Sequence, residues 1–464
     1  MGKYFGTDGI RGIPWKFPFT PDFLRKIGYA SAYILKKHLK HDNSKNVYIG
    51  MDSRQSGEKI KKYISQGIIS NGFKIIDIGI VTTPCLAYMV KEENGAFGVM
   101  ISASHNSPEF NGIKIFSNKG KKIDDIIEDK IEKFIDKSID FPPSKINSNN
   151  YRTKKNNDKY IKFILNTLPK NFNFKGTKIC LDCANGGGYK IAPEIFRRLG
   201  AKLVVIGNKP NGKNINKGYG ALNTDKMIKT TLMSKSICGI SLDGDGDRCI
   251  LCDRNGIIFD GDDIIAFLSV FLKEKGDLNK STVVLTIMSN YGLIKYLNSM
   301  GIKAIQVQVG DKNVTDALDR HNLSLGGENS GHIIIRKFSP TGDGILSSLW
   351  TLYAAYAWGK KLEYLKNLWS RYPQILKSIK VDKKIKLSAI KGFEKKIKDL
   401  ERQIEGRIFL RYSGTEPVLR ILVEGKNQIQ VKEAAEVITD LYLAGIRKYN
   451  CQVNSKISVG KFLS

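Results

Sequence analysis

Short apolar segments typical of β-strands alternate with longer segments typical of helices along most of this chain. The alternation predicts an α/β protein, because each strand in such a fold is followed by a helix that covers the sheet. The chain has 464 residues, about three times the length of a ~150-residue domain, so we expect several domains. The segments assigned to strands are residues 47–50, 74–78, 96–101, 178–182, 202–206, 237–242, 282–286 and 303–307.

Three changes in composition divide the chain. Residues 141–150 are rich in Pro, Asn and Ser, residues 253–256 form a predicted turn, and residues 369–373 precede a Lys-rich segment. The resulting prediction is α/β domains at 1–150, 151–255 and 256–370 and a smaller α+β domain at 371–447.

The last predicted domain differs from the others in pattern. It combines amphipathic helices at 390–402 and 431–443 with a strand at 418–423. The tail 448–464 is basic and polar, and we expect it to be disordered.

The chain is strongly basic. Lys and Arg total 75 against 45 Asp and Glu, a net charge of +30, which favours nucleic acid, an anionic membrane or phosphorylated small molecules as partners. The charge is spread over the whole length, and no basic block alternates with aromatic residues. A general compositional bias is therefore the preferred interpretation, and nucleic-acid binding remains as an alternative from a different class.

No segment offers the 18 consecutive apolar residues that a membrane-spanning helix requires. The N-terminus also lacks the apolar core of a secretory signal. We therefore expect a cytoplasmic protein without a membrane partner.

Seven cysteines include two CxxC pairs, Cys180/Cys183 and Cys249/Cys252, which invite a zinc interpretation. Both pairs lie in predicted strands, where residues three apart point to opposite faces instead of converging on one ion. We predict reduced, buried thiols and no zinc site.

The loop after residues 97–101 contains Ser104, His105 and, further along, Lys114. The hydroxyl of Ser104 is a candidate nucleophile or phosphate carrier, with His105 or Lys114 to handle protons or charge. Standing alone, this loop is also compatible with a purely structural role. The G-x-S-x-G motif of serine esterases is absent here, so that activity has no support.

A second loop places Asp243, Asp245 and Asp247 within five residues. Their mutual repulsion is best relieved by a hard cation such as Mg²⁺. The loop is not an EF-hand, because Arg248 and Arg254 occupy the positions where that motif needs Gly and Glu.

Two further loops carry groups that suit a sugar phosphate. Residues 326–332 present Glu328, Ser330 and His332, which match the hydroxyls or amine of a sugar, although a simple polar turn is equally compatible. Residues 411–420 present two Arg side chains, two hydroxyls and a glycine, which together favour a phosphate site.

Taken together and in order, these segments resemble the signature sequences of the α-D-phosphohexomutase superfamily. The resemblance extends from about residue 3 to about residue 445. The segments are residues 6–12, the Ser104 loop, the Asp243–Asp247 loop, residues 327–332 and residues 411–415. Within the superfamily, residues 3–8, 309–312 and 328–332 are most similar to those of phosphoglucosamine mutases, and the phosphomannomutase/phosphoglucomutase branch is the alternative.

The resemblance implies three similar α/β domains and a distinct fourth one around a central cleft. It also implies that phosphorylated Ser104 donates its phosphoryl group to O1 of glucosamine 6-phosphate, giving a bound 1,6-bisphosphate that reorients and returns its 6-phosphate to Ser104. The product, glucosamine 1-phosphate, would supply UDP-N-acetylglucosamine synthesis. A monomer and a homodimer both remain open.

The same resemblance implies roles for individual residues. Catalytic roles fall on Ser104, Lys114, Arg11 and His332. Substrate binding falls on Glu328, Ser330, Arg248, Arg411, Ser413, Gly414, Thr415 and Arg420. One Mg²⁺ per subunit would be held by phosphorylated Ser104 with Asp243, Asp245 and Asp247. One departure from the family pattern is Ser107, which stands between Asn106 and Pro108, and we expect it to alter the loop without abolishing activity.

Overall fold

The computed structural model describes residues 2–38, 44–137, 145–154, 157–382, 384–412 and 417–460, with the backbone alone after residue 447. The described chain divides into two compact units, Met1–Ser289 with Met300–Leu368, and Asn290–Ser299 with Trp369–Ser464. The first unit contains three successive sheets and the second contains a smaller one.

The first sheet occupies the N-terminal part of the first unit. Its strands are β1 (Ile10–Gly12), β2 (Asn46–Met51), β3 (Lys74–Ile80), β4 (Phe97–Ile101), β5 (Asn111–Ser117) and β6 (Tyr151–Thr153). Their order is β1-β5-β4-β2-β3-β6, with β2 parallel to β3 and β4, and β5 antiparallel to β4 and β1. The accompanying helices are α1 (Pro21–His38), α2 (Gly57–Ile69), α3 (Thr83–Glu92) and α4 (Asp125–Ile135).

The second sheet is also mixed. Its strands are β7 (Lys178–Asp182), β8 (Lys202–Ile206), β9 (Cys238–Leu242), β10 (Cys249–Asp253) and β11 (Ile258–Phe259), in the order β11-β10-β9-β7-β8. β7 pairs in parallel with β8 and β9, whereas β10 pairs antiparallel with both β9 and β11. The helices of this part are α5 (Asp158–Asn166), α6 (Ile191–Arg198) and α7 (Asp225–Ser234).

The third sheet follows helix α8 (Gly261–Glu274) and a short 3₁₀ turn (Asn279–Ser281). It is built from β12 (Thr282–Thr286), β13 (Lys303–Val307), β14 (Leu325–Gly327) and β15 (Ile333–Ile335), in the order β13-β12-β14-β15. Helix α9 (Tyr291–Ser299) belongs to the second unit, whereas α10 (Asp311–His321) and α11 (Gly344–Ala357) belong to the first. Another 3₁₀ segment, Leu362–Asn367, ends this part of the chain.

The sheet of the second unit is antiparallel. It orders β16 (Gln374–Lys380), β17 (Arg407–Tyr412) and β18 (Val418–Glu424) as β16-β18-β17. A 3₁₀ turn (Leu387–Ala389), α12 (Phe393–Gln403) and α13 (Gln428–Gly460) complete it. Helix α13 reaches Gly460 and so extends into the tail 448–464, whose boundary and disorder stay predictions. Residues 461–464 lie outside the described part.

Side-chain caps set where two helices of the first unit begin. Asp260 caps α8 in a capping box, in which its carboxylate accepts from the backbone N–H of Asp262 and Asp263 while Asp263 accepts from the N–H of Asp260. Asp343 caps α11 by accepting from the N–H of Leu346 at 3.0 Å. Helix α11 is apolar on nearly all faces because it is almost wholly buried.

The predicted strands and the α/β class are confirmed. Each of the strand segments predicted from sequence coincides with an observed strand, namely β2, β3, β4, β7, β8, β9, β12 and β13. None of the described helices combines the length and the apolar character needed to cross a bilayer. The described cysteines, which exclude Cys451, are all buried and free of disulfides.

Candidate active site

Ser104 lies in the loop that joins β4 to β5. Its side chain is fully buried, and its backbone adopts a left-handed conformation with φ of +50°, a strained state for a residue with a Cβ. The hydroxyl donates a hydrogen bond of 2.6 Å to Oδ2 of Asp243. Nδ1 of His105 lies 3.5 Å from the same hydroxyl oxygen. A strained loop thus holds one hydroxyl against a carboxylate of another sheet.

The aspartate loop joins β9 to β10 and brings Asp243, Asp245 and Asp247 together. One carboxylate oxygen of each lies within 4.8 Å of the other two, and all three side chains are buried. Oδ2 of Asp245 accepts from Oγ1 of Thr83 at 2.5 Å and from Nζ of Lys114 at 2.9 Å. Oδ1 of Asp245 and Oδ1 of Asp247 are buried without a hydrogen-bond partner. Buried, unpartnered carboxylate oxygens fit the ligand set of a hard divalent cation.

The pKa shifts in this loop also indicate that its buried carboxylates repel one another. Burial, together with the neighbouring carboxylates of Asp247 and Asp245, raises the pKa of Asp243 well above its usual range. Burial also acts to raise the pKa of Asp247, but the Lys114 ammonium and His332 outweigh it and hold that pKa well below its usual range. A cation bound in this loop would relieve the repulsion among its buried carboxylates.

Lys114, on β5, is enclosed by carboxylates. Its Nζ lies 2.9 Å from Asp245, 3.0 Å from Asp8 and 3.6 Å from Asp247. Burial acts against its charged form, but these carboxylates raise the pKa of Lys114 well above its ordinary value. Lys114 is consequently an ammonium group at neutral pH and cannot accept a proton there.

The hairpin between β14 and β15 positions Glu328, Ser330 and His332. Glu328 accepts from the N–H of Gly310 and from Oγ of Ser330, both at 3.0 Å. Nε2 of His332 accepts from the N–H of Gly342 at 3.2 Å, and its Nδ1 lies 3.6 Å from Oδ2 of Asp247. A side chain at position 342 would overlap the imidazole ring, so glycine is required there. The histidine is thereby fixed beside the aspartate loop.

Some of these groups line a cavity of about 430 Å³, a size suited to a small ligand. The predicted site residues Arg11, Arg248, Glu328 and His332 line it, as do Asp247 and His105. Ser104 and Lys114 contact lining residues, and Ser330 contacts Glu328. Most of the predicted site residues in the first unit therefore surround a single space.

Sequence reasoning missed several residues of this cavity. Asp8 accepts from Arg11 and Lys122 and lies against Lys114. Lys122 also contacts Asp311, which begins helix α10. Asp8 belongs to the family-like segment 6–12, where an acidic residue among glycines could have indicated a site residue. Nothing in the sequence near Lys122 distinguishes it from other lysines.

The residues predicted for phosphate binding lie in the second unit. Arg411 on β17 and Arg420 on β18 are direct cross-strand partners. Like charges placed opposite each other on adjacent strands repel, and a bound anion would relieve that repulsion. Ser413, Gly414 and Thr415 lie outside the described residues.

The two CxxC pairs form no metal site. Cys180 and Cys252 instead pack against Met227, with 3.1 Å between Sγ of Cys252 and Sδ of Met227. Burial raises the pKa of Cys183 well above its ordinary value. Among the described residues, the only cluster with metal-ligand geometry is the aspartate loop.

Models of known protein families match nearly the whole chain. The matches are phosphoglucomutase/phosphomannomutase α/β/α domain I at residues 2–140, domain II at 158–256, domain III at 260–372 and the C-terminal domain at 376–441.

This chain belongs to the phosphoglucomutase/phosphomannomutase family.

Individual members of the family agree with this assignment. A phosphoglucosamine mutase of Bdellovibrio bacteriovorus is 41% identical over 443 residues, covering 94% of this chain and 97% of the relative. One of Thermodesulfovibrio yellowstonii is 42% identical over 445 residues, with the same coverage. In fold, a phosphoglucomutase/phosphomannomutase family protein of Burkholderia thailandensis superposes with a TM-score of 0.77 at 18% identity, covering 95% of this chain and 97% of the other.

The resemblance to the α-D-phosphohexomutase superfamily is thus confirmed, as is the multidomain α/β fold of this mutase family. The alternative of a nucleic-acid-binding protein is not favoured. The roles of individual site residues and the domain boundaries remain predictions.

Proposed function

We propose that this chain is a phosphoglucosamine mutase, which interconverts glucosamine 6-phosphate and glucosamine 1-phosphate. One observation carries the proposal, the 2.6 Å hydrogen bond from Ser104 Oγ to Asp243 beside a cavity that Arg11, Arg248 and Glu328 line. The relatives that share about 40% of its residues over almost the full chain bear the same name. A phosphoserine at Ser104 is part of the proposal.

The reaction conserves phosphate and protons. The O1 oxygen of glucosamine 6-phosphate attacks the phosphorus of phosphorylated Ser104, the O1–P bond forms and the P–Oγ bond breaks. The proton of O1 passes through a base of the site to Oγ. The glucosamine 1,6-bisphosphate then reorients, Oγ attacks the 6-phosphate, the P–O6 bond breaks and O6 takes the serine proton. Ser104 ends phosphorylated, and the product is glucosamine 1-phosphate.

His332 and Lys114 are the proposed groups for proton transfer. The high pKa of Lys114 keeps its side chain protonated and supports a role as a fixed positive charge more directly than a role as proton donor. In His332, Nδ1 lies 3.6 Å from Oδ2 of Asp247, and Nε2 accepts a hydrogen bond from the N–H of Gly342. His105 is a further candidate for accepting the proton, because burial and the charges of Arg248 and Arg11 lower its pKa to about 4 and keep the ring neutral.

We propose that Asp243, Asp245 and Asp247, together with the phosphate on Ser104, hold one Mg²⁺. The unpartnered carboxylate oxygens and the all-oxygen donor set support this assignment. A divalent cation bound there supplies positive charge beside the transferring phosphoryl group. Lys114 and Thr83 orient the carboxylate of Asp245 through its other oxygen.

The charges in the cavity support an amino sugar as substrate. Three carboxylates that line it, Asp8, Asp247 and Asp311, have a Lys or His partner within 4 Å. Glu328 lines the same cavity and, among the described residues, has no such ion pair. Its charge is available to the ammonium group at C2 of glucosamine, while Ser330 and Glu328 remain proposed partners for O3 and O4.

Arginine side chains are the proposed partners of the substrate phosphates. Arg11 and Arg248 line the cavity, and the Nε of each is buried without a hydrogen-bond partner. Arg411 and Arg420, with Ser413, Gly414 and Thr415, are proposed to bind the phosphate that is not reacting. Binding energy from that remote group would position the reacting hydroxyl.

The six described thiols are free, which is typical of a reducing compartment, and we propose that the enzyme acts in the cytoplasm. Its product there would supply UDP-N-acetylglucosamine synthesis.

The test is a comparison of initial rates on glucosamine, mannose and glucose 6-phosphates, with Mg²⁺ and a trace of the matching bisphosphate. Intact mass of the same sample measures phosphorylation of Ser104. We expect a clear preference for the amino sugar and one phosphoryl group per chain. Preference for mannose or glucose phosphate would move the protein to the phosphomannomutase/phosphoglucomutase branch, and no turnover by phosphorylated protein would refute mutase function.

A further inference from the structure

Arg54 lies in the loop after β2 and is not among the cavity-lining residues. Its side chain is 3% exposed, yet each of its five N–H donors has a partner. Nε donates to Oδ2 of Asp52 at 2.9 Å. The two terminal nitrogens donate to four backbone carbonyls of one loop, those of Ser104 at 3.1 Å, Asn106 at 2.7 Å, Phe110 at 2.9 Å and Ser107.

The partner of Arg54 connects to the same loop by a second route. Asp52 accepts from Oγ of Ser102 at 2.6 Å through the oxygen that also faces Arg54. Oγ of Ser102 in turn accepts from the N–H of Ser104 at 2.9 Å. Both backbone polar groups of Ser104 are therefore tied to the Asp52 and Arg54 pair.

Residues from the part of the chain that forms the second sheet also contact the Ser104 loop. Nδ2 of Asn216 donates to the carbonyls of Ser104 and Asn106 at 2.8 and 2.9 Å, two of the four that Arg54 binds. Gly244, in the aspartate loop, comes so close that a Cβ there would lie 2.5 Å from the Ser104 carbonyl oxygen. The loop is thus held between Arg54 and the residues that surround Asp243.

We propose that Arg54 is a positioning residue that fixes the Ser104 hydroxyl, and the phosphoryl group it carries, in line for transfer. The inference rests on the proposed function and extends it to a residue that touches neither sugar nor cation. A guanidinium has five donors in one plane, so it can bind four carbonyls and a carboxylate together. Lysine has three donors on one nitrogen and cannot reproduce this arrangement.

Arg54 also binds the extra residue in the Ser104 loop. Ser107 separates Asn106 from Pro108, and its carbonyl is one of the four that the guanidinium binds. A longer loop has more conformations available, and Arg54 selects one of them by contacting the loop both before and after Pro108. This explains how the loop keeps the left-handed backbone of Ser104.

Because Arg54 acts on the loop and does not line the cavity, its loss should lower kcat and leave KM nearly unchanged. The variants are Arg54→Lys, Arg54→Ala and the milder Ser102→Ala, which removes only the link from Asp52 to the Ser104 N–H. The control is Lys61→Met. Lys61 is likewise buried in an ion pair of this part of the chain, with Nζ 2.8 Å from Asp77, but it does not contact the Ser104 loop.

The measurements are kcat and KM for glucosamine 6-phosphate, the unfolding midpoint, and activity with added guanidinium at concentrations below those that unfold the protein. We expect kcat to fall at least tenfold in Arg54→Lys and several-fold in Ser102→Ala, with KM within twofold of wild type. Guanidinium should restore part of the activity of Arg54→Ala and none in Lys61→Met, whose kcat stays near wild type.

Arg54→Lys and Ser102→Ala with wild-type kcat would overturn the inference. An equal loss of kcat in Lys61→Met at an equal loss in the unfolding midpoint would also overturn it, because general destabilisation would then suffice. If Arg54→Ala does not fold, the other two variants decide. Wild-type protein without mutase activity would refute the proposed function, whereas an active wild type with indifferent Arg54 variants would refute this inference alone.

Discussion

Ser104 Oγ donates a 2.6 Å hydrogen bond to Asp243 Oδ2 although 139 positions separate the two residues. Ser104 belongs to the loop between β4 and β5 of the first sheet, and Asp243 follows β9 of the second. Each loop follows a strand, and in the proposed reaction the first loop carries the phosphoryl group while the second holds the cation. The predictions below test the parts of this arrangement separately.

Ser104→Ala should abolish normal turnover and leave folding intact. The substitution removes one buried oxygen that carries the transferred group, and loss of an enzymatic nucleophile lowers kcat by roughly a thousandfold or more. Initial rate and intact mass measure the effect, with Ser65→Ala as a control at another buried serine. Rates near wild type in Ser104→Ala would refute the phosphoserine assignment.

Asp245→Asn should weaken the dependence on Mg²⁺. The buried Oδ1 of Asp245 has no protein partner, so we expect it to serve the cation, and the metal concentration for half-maximal activity should rise by more than about tenfold. Titration of activity with Mg²⁺, and calorimetry in the absence of sugar, measure the change. Asp253→Asn, at the end of β10, is the control, and equal titrations for both variants would contradict the metal role.

Glu328→Gln should reduce discrimination between glucosamine 6-phosphate and glucose 6-phosphate. The amide keeps an oxygen for the N–H of Gly310, and its nitrogen can donate to Oγ of Ser330, but it loses the negative charge that we propose faces the ammonium group. The ratio of kcat/KM for the two sugars should fall by roughly tenfold or more. Glu363→Gln, whose carboxylate pairs with Arg254, is the charge-matched control. An unchanged ratio in Glu328→Gln would assign recognition of the amine to another group.

Arg411→Ala should raise KM for the sugar phosphate. A hydrogen bond to a charged group contributes about 1.5–3 kcal/mol, so the increase should be on the order of tenfold to a hundredfold. The variant also removes the repulsion between Arg411 and Arg420, so the unfolding midpoint of the ligand-free protein should not fall. Arg402→Ala, at an exposed position of α12, is the control. A large loss of kcat at constant KM would argue against a binding role.

Asp343→Asn should change how stability depends on pH. Burial raises the pKa of Asp343 to about 6, against backbone and Tyr160 hydrogen bonds that lower it. Between about pH 4 and pH 6 the folded state therefore binds more protons at this group than the unfolded state, so its contribution to stability grows as pH falls through that window. Asparagine keeps an oxygen for the Leu346 cap and does not titrate.

Urea unfolding at pH 7 and pH 4.5 measures the effect. When the pH is lowered from 7 to 4.5, the free energy of unfolding of wild type should increase relative to that of Asp343→Asn. A constant gap between wild type and Asp343→Asn at both pH values would contradict the predicted pKa.

Local patterns in the sequence were sufficient for the strands and for the loops that follow them. Apolar runs predicted β2 to β4, β7 to β9, β12 and β13, because burial on both faces of a sheet produces such runs directly. The Ser104 and Asp243 loops were found because small, polar and acidic residues after a buried strand are unusual. The chemistry of residues 328–332 and 411–420 became specific only through resemblance to a family.

Contacts between distant segments could not be predicted in this way. Arg54 and Asn216 bind backbone carbonyl oxygens of the Ser104 loop. Every residue has such a carbonyl, so the sequence does not indicate which side chains bind it. Thr83 contacts Asp245 across 162 positions and looks like any threonine at a helix start. The extension of α13 beyond residue 448 was not predicted, because the basic and polar composition of that segment does not distinguish a helix from a disordered tail.

The direct contacts of Thr83 with Asp245 and of Lys114 with the same carboxylate have a consequence for biosynthesis. While the ribosome has released only the first sheet, Lys114 and the Ser104 loop have no acidic partners from the second. A nascent chain therefore cannot assemble the reactive centre until residues beyond 247 have emerged and folded. A chain that stops before Asp243 would therefore lack the proposed reactive centre even if its first sheet had folded.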